Sequence, residues 1–151
     1  NGGFEAGILD GWTPGGTSLP TLSGQAHTGD GAARLDAAGG DSSLSQSLTP
    51  APSAGQVYLS LLARPEQAGE TGSLEIVLSN AGSFDPPVTH TLSLAGDGWT
   101  HAWYDLGDLQ GESVTVTMRA SGSPAILVDE VSVGTALPGG NWVYLPLTLK
   151  Q

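Results

Sequence analysis

Apolar and polar residues alternate with a period of two in short segments along this chain, and turn residues bound each segment. Leu44, Gln46 and Leu48 alternate with Ser45 and Ser47 ahead of Pro50-Ala51-Pro52. Val57, Leu59 and Leu61 share one side of the run from Gln56 to Arg64. Leu74, Ile76 and Leu78 alternate with Glu75, Val77 and Ser79, and Leu92 and Leu94 share a side within Val88 to Leu94. Trp99 to Tyr104 follows the Gly96-Asp97-Gly98 turn. Val114, Val116 and Met118 alternate with Thr115, Thr117 and Arg119; from Ile126 to Val133, Leu127, Asp129 and Val131 share a side. With Ala32 to Asp36 these make eight strands, spaced about ten to fifteen residues apart. No window carries an apolar stripe at the 3.6-residue helical period. The pattern predicts an all-β antiparallel sandwich, a jelly roll of about eight strands over residues 1–135.

The end of the chain breaks the pattern. Residues 136–141 hold Leu137-Pro138-Gly139-Gly140 and are expected to form a linker. Residues 142–151 then form one further extended segment. Val143, Leu145, Leu147 and Leu149 lie on one side of it, and Trp142 and Tyr144 on the other. Each aliphatic side chain there would gain ~1.5–3 kcal/mol on full burial, so the segment needs a surface to cover. It can fold back on its own domain or add to the sheet edge of a neighbour.

Composition narrows the class of protein. In 151 residues there are 23 Gly and 10 Pro, which punctuate the chain too often for long helices. Fifteen acidic residues stand against four basic ones, a formal net charge of −11. That balance excludes a nucleic-acid partner, since nothing would neutralise phosphates. It disfavours an anionic membrane surface as well, and no apolar run is long enough for a spanning helix. Cysteine is absent, which removes disulfides and thiolate chemistry. Low Lys with abundant Ser, Thr and Gly suits a secreted or cell-surface protein, and a start at Asn1 suits a processed or excised chain.

Two patches resemble the galactose-binding-like jelly rolls that include many carbohydrate-binding modules of secreted bacterial proteins. The first is Asn1-Gly2-Gly3-Phe4-Glu5, then Gly11-Trp12, then Ala26-His27-Thr28-Gly29-Asp30-Gly31. The second runs from Gly98-Trp99 through Tyr104-Asp105-Leu106, Gly111 and Val114 to Arg119, ending at Leu127-Val128-Asp129-Glu130-Val131. The resemblance implies a structural calcium ion between the first and last strands, with Glu5 and Asp129 as ligands and Asp30 as a further one. Calcium prefers several hard oxygens, which distant strands can supply jointly. The resemblance also implies that Trp12 and Trp99 pack in the core.

No catalytic pattern emerges. His27, His90 and His101 lie apart in the sequence and outside any nucleophile, metal-ligand or phosphate-loop motif. A non-catalytic role is therefore expected. The leading expectation is a self-associating surface or filament subunit, a homopolymer joined by strand addition through Trp142, Val143, Tyr144, Leu145, Leu147 and Leu149. The alternative is a carbohydrate-binding module with polysaccharide as partner. Its platform would be Trp103 or Tyr104, adjacent on one strand and so facing opposite ways, with Tyr58 and His101.

Overall fold

A computed structural model describes residues 2–7, 9–49, 56–80, 86–108 and 111–135. Its strands are β1 (Thr13–Gly16), β2 (Thr21–Ser23), β3 (Ala32–Leu48), β4 (Gln56–Pro65), β5 (Thr71–Ser79), β6 (Val88–Ala95), β7 (Thr100–Asp108) and β8 (Val114–Thr135). Every pairing is antiparallel. The architecture is the expected jelly roll.

Two long strands, β3 and β8, pass through both layers of the sandwich. Their first contact sets Ala33 to Leu35 against Ile126 to Val128, and their second sets Ser42 to Leu48 against Val114 to Ala120. Between these stretches the register breaks twice, at Leu35/Ala37 and Ala37/Asp41, and there the strands turn from one layer into the other. Layer A therefore runs β6-β5-β8-β3-β1, using the first half of β8 and the second half of β3. Layer B runs β2-β3-β8-β4-β7, using the other halves.

The period of two becomes the core directly. Leu44, Leu74, Ile76, Leu78, Val116 and Met118 of layer A meet Leu35, Leu59, Leu61, Ile126 and Val128 of layer B, all buried in one cluster. Each fully buried aliphatic side chain contributes ~1.5–3 kcal/mol, the bulk of what holds the layers together.

The strand inventory differs from the sequence expectation in a specific way. The segments at 32–36 and 44–48 are halves of β3, and those at 114–119 and 126–133 are halves of β8. In β3 the alternation is lost at the bend, where Ala38 to Gly40 are all exposed and the buried positions shift from odd to even, so periodicity alone cannot join the halves. Conversely, β1 and β2 carry no alternation; they are short edge strands paired only to β3. A second difference lies at Glu130, whose φ is +49°. One extra residue sits there, because Ser60 to Leu62 of β4 spans Ser132 to Asp129 of β8. The bulge turns Val131 toward the core, off the side that strict alternation assigns it with Leu127 and Asp129.

Candidate functional site

The motif residues of the two ends meet at one corner of layer B. The main-chain N–H of Val131 donates to Gly2 O at 2.9 Å. No side chain fits at Gly2, where a Cβ would lie 1.7 Å from the Val131 carbonyl oxygen. Phe4, fully buried despite a φ of +54°, sets its ring 5.9 Å from that of Trp12. Trp12 thus packs in the core as the resemblance implies. The Asp30 N–H donates to Glu5 Oε2 at 2.7 Å. Asp129 is fully buried and accepts from the N–H groups of His27 (2.8 Å), Thr28 (3.4 Å) and Glu130 (2.7 Å). Glu5 and Asp129 therefore clasp the same turn, residues 27–30, from two directions.

That geometry bears on the calcium expectation. Three backbone donors occupy most of the roughly four lone-pair sites of the Asp129 carboxylate. The Asp30 side chain is exposed, and only its N–H engages Glu5. Among the described residues no group of three or more His, Cys, Asp and Glu side chains converges as an ion cage. The side chains alone would not complete a calcium shell, and main-chain oxygens would have to supply the rest. Beside this corner lies an open hollow of about 190 Å³, lined by Phe4, Glu5, Leu22, Asp30 and neighbouring glycines.

The outer face of layer B carries the aromatic residues. Trp103 stands opposite Ser60 and is 46% exposed. Tyr58 meets it edge to face, with ring centroids 5.7 Å apart. His101 shares that side of β7, and its Nε2 is 2.7 Å from Ser60 Oγ. Asp105, two residues beyond Trp103, pairs with the Gln56 side-chain amide. The structure thus brings Trp103, Tyr58 and His101 to one surface. Tyr104 goes the other way, packing against the core with its ring 4.6 Å from that of His90. Burial pushes its phenol above the usual value.

Trp99 corrects an expectation. It lies outside the core cluster, half-buried on the outer face, with the Arg64 guanidinium 5.3 Å from its ring centre and His27 edge-on at 5.8 Å. The physical reason is parity: Trp99, His101 and Trp103 are two residues apart, so a pleated strand places all three on one side. The resemblance pointed to the core, and the parity of the strand overrides it. Arg64, Ser60 and Glu130 also belong to the surface and carried no sequence signal beyond that parity. Glu130 arrives through the bulge. Its carboxyl is held below the usual range mainly by the hydroxyl of Thr28 at 2.5 Å, helped by His27 Nδ1 at 3.3 Å. The assembly residues Trp142, Val143, Tyr144, Leu145, Leu147 and Leu149 lie outside the described residues.

Comparison with known proteins places this fold among carbohydrate-binding modules. No family model matches the chain, and no curated protein does. Among solved structures, a family 61 module in complex with β-1,4-galactotriose superimposes with a TM-score of 0.73 at 17% identity, over 90% of this chain and 96% of that one. The CBM22-1 xylan-binding domain of Xyn10C from Paenibacillus barcinonensis gives 0.66 at 17% identity, covering 88% and 90%. The fold also recurs within the enzymatically active domain of a bacteriophage CBA120 tailspike protein, at 0.62 and 13% identity, over 90% of this chain and 21% of that one. At such identities the likeness establishes the jelly roll, and function has to be argued from the surface.

Proposed function

We propose that the chain is a non-catalytic, extracellular carbohydrate-binding domain that takes a glycan on the outer face of layer B. The observation that carries this reading is the setting of Trp103. An indole 46% exposed is expensive to leave in water, yet Tyr58 braces it and Ser60 and His101 flank it. A pyranose ring has apolar C–H faces and equatorial hydroxyls, which match a braced indole beside hydroxyl and imidazole groups. Layer B holds the platform on strands and not on a loop, so its rings are already oriented before a ligand arrives. The similar structures, one in complex with β-1,4-galactotriose and one a xylan-binding domain, agree in ligand class.

The expected partner is therefore a polysaccharide. Self-association through the terminal segment rests wholly on residues 142–151, outside the described structure, and yields first place to the glycan reading. Among the described residues no helix is long and apolar enough to cross a membrane.

Affinity electrophoresis and calorimetry against xylan and β-1,4-galactan test the proposal. Retention by at least one polysaccharide, lost in Trp103→Ala with an unchanged melting curve, is the expected result. A folded wild-type protein that no polysaccharide retards would overturn it.

Calcium belongs to the same proposal as a stabilising ion at the Glu5–Asp129 corner, with both carboxylates and main-chain oxygens as ligands. Added calcium should raise the melting temperature and a chelator should lower it again. An unchanged transition rejects the ion and leaves the amide bonds to Asp129 as the sufficient account of that corner.

A further inference from the structure

Among the described residues Arg64 is the odd cation. Four basic residues face fifteen acidic ones, so each should find a carboxylate easily. Arg34 has two, gripping Glu66 at 2.6 and 2.9 Å and Asp36 at 2.8 Å. Arg119 pairs with Glu75. Lys150 lies outside the described residues. Arg64 is bonded to no carboxylate among the described residues. Its Nη2 donates to Gln25 Oε1 at 2.7 Å, its Nη1 reaches the Pro65 and Glu66 carbonyl oxygens only at 3.4 Å, and its buried Nε finds no acceptor. Of five donors, one is well used.

Glu66 is taken by Arg34, and Glu130 is held by Thr28 and His27. The Trp99 ring, 5.3 Å from the guanidinium carbon, supports the cation without neutralising it. With the guanidinium over it, Trp99 is a floor for the cation and not a second stacking platform. Two exposed imidazoles stand on the same side: His27 edge-on to Trp99, and His101 two residues along β7. The result is a patch in which Arg64 keeps spare donors while His27 and His101 already meet Glu130 and Ser60, on a chain of formal charge −11. A planar guanidinium fork with spare donors suits a carboxylate above other groups.

Trp103 lies four residues from Trp99, roughly 13 Å along an extended strand. That span exceeds one pyranose ring. A ligand touching both ends is therefore an oligosaccharide, stacked at Trp103 and reaching Arg64 with a substituent or a later sugar.

We infer that the Trp99–Arg64 end of this face is a carboxylate subsite and that the preferred ligand is a glycan chain bearing a uronic acid. This deepens the glycan reading and rests on it. Calorimetry with xylo-oligosaccharides with and without a glucuronic acid branch, and with galactose and galacturonic acid oligomers, decides the matter. At least one acidic oligosaccharide should bind roughly tenfold more tightly than its neutral counterpart, a preference that 0.5 M salt reduces at this exposed site. Arg64→Gln should erase the preference, lowering the affinity for the acidic chain roughly tenfold more than that for the neutral chain. Because Arg64 packs on Trp99, Arg64→Lys provides a second variant: it keeps the charge, loses the fork and should retain only part of the preference. Neutral and acidic chains bound equally by the wild type, or a preference that survives Arg64→Gln, would overturn the subsite while leaving the glycan reading intact. Binding of neither set would overturn both.

Discussion

The outer faces of the two layers share only β3 and β8, and they differ in how their polar groups are satisfied. On layer A the side chains pair with one another across the ladder. Ser45 bonds Thr117 at 2.8 Å, Ser47 bonds Thr115 at 2.7 Å, and Thr49 bonds Ser113 at 2.5 Å at its end. Arg119 and Glu75 close the next row as an ion pair. On layer B, Trp103 is half in water, Arg64 has spare donors, and His101 has a single hydroxyl partner. A face whose donors and acceptors already meet each other gains little from a ligand. A face with an exposed ring and unspent donors gains both stacking and hydrogen bonds. The difference teaches that local self-satisfaction, and not polarity, separates a solvated surface from a binding one.

The contrast can be broken by mutating either face and measuring both binding and stability. The largest effect expected is on affinity: Trp103→Ala should weaken glycan binding roughly ten- to a hundredfold, while Thr117→Val on layer A should leave it unchanged. Comparable losses from both substitutions, seen by calorimetry, would dissolve the distinction between the faces.

Stability should show the reverse weighting at the corner that supports layer B. Asp129→Ala removes a fully buried carboxylate and strands three part-buried backbone donors, so urea unfolding should report a loss of about 2 kcal/mol or more. Thr117→Val removes one partly buried hydroxyl bond and should cost only about 1 kcal/mol or less. An Asp129 variant no less stable than the Thr117 variant would contradict the role given to those amides.

The smallest effect concerns pH. Glu130 and Asp36 both have carboxyls held below their usual values, by the Thr28 hydroxyl and by the Ala38 N–H respectively. A lowered folded-state value means the carboxylates add stability above their unfolded values and lose it as pH falls through the folded ones. Stability should therefore decline slightly from about pH 4.5 downward, and Glu130→Gln should flatten that decline. Both side chains are more than a third exposed, at 35% for Asp36 and 39% for Glu130, so solvent screening keeps the change small. An identical acid limb in Glu130→Gln would remove Glu130 from the account.

Much of this was legible in the chain. The core follows from the period-two positions, since Leu59, Leu61, Leu74, Ile76, Leu78, Val116 and Met118 all turn inward where the alternation places them. The same rule sends Trp103 and Tyr104 to opposite faces and would have set Trp99 beside His101 and Trp103. What parity cannot show is an insertion. The bulge at Glu130 reverses the sides of the residues beyond it, and no residue type announced it. Nor could the short edge strands β1 and β2 be found, because four and three residues, with Leu22 their only large apolar side chain, are too few to show an alternation.

By itself, then, the sequence determined the fold class, the residues that fill the core, and which side chains alternate to the outside. It did so because burial is a local property of a pleated strand: each residue's side is set by its neighbours' count. Only the tertiary structure decided which outward side chains become a site. Arg64 and Trp99 are 35 residues apart in sequence, Glu5 and Asp129 lie near opposite ends of the described chain, and Asp129 meets His27 across 102 positions. Whether an outward group is spent on a neighbour or left for a ligand depends on which strand comes to lie beside it. That neighbour is chosen by the bends of β3 and β8, where the chain crosses between layers.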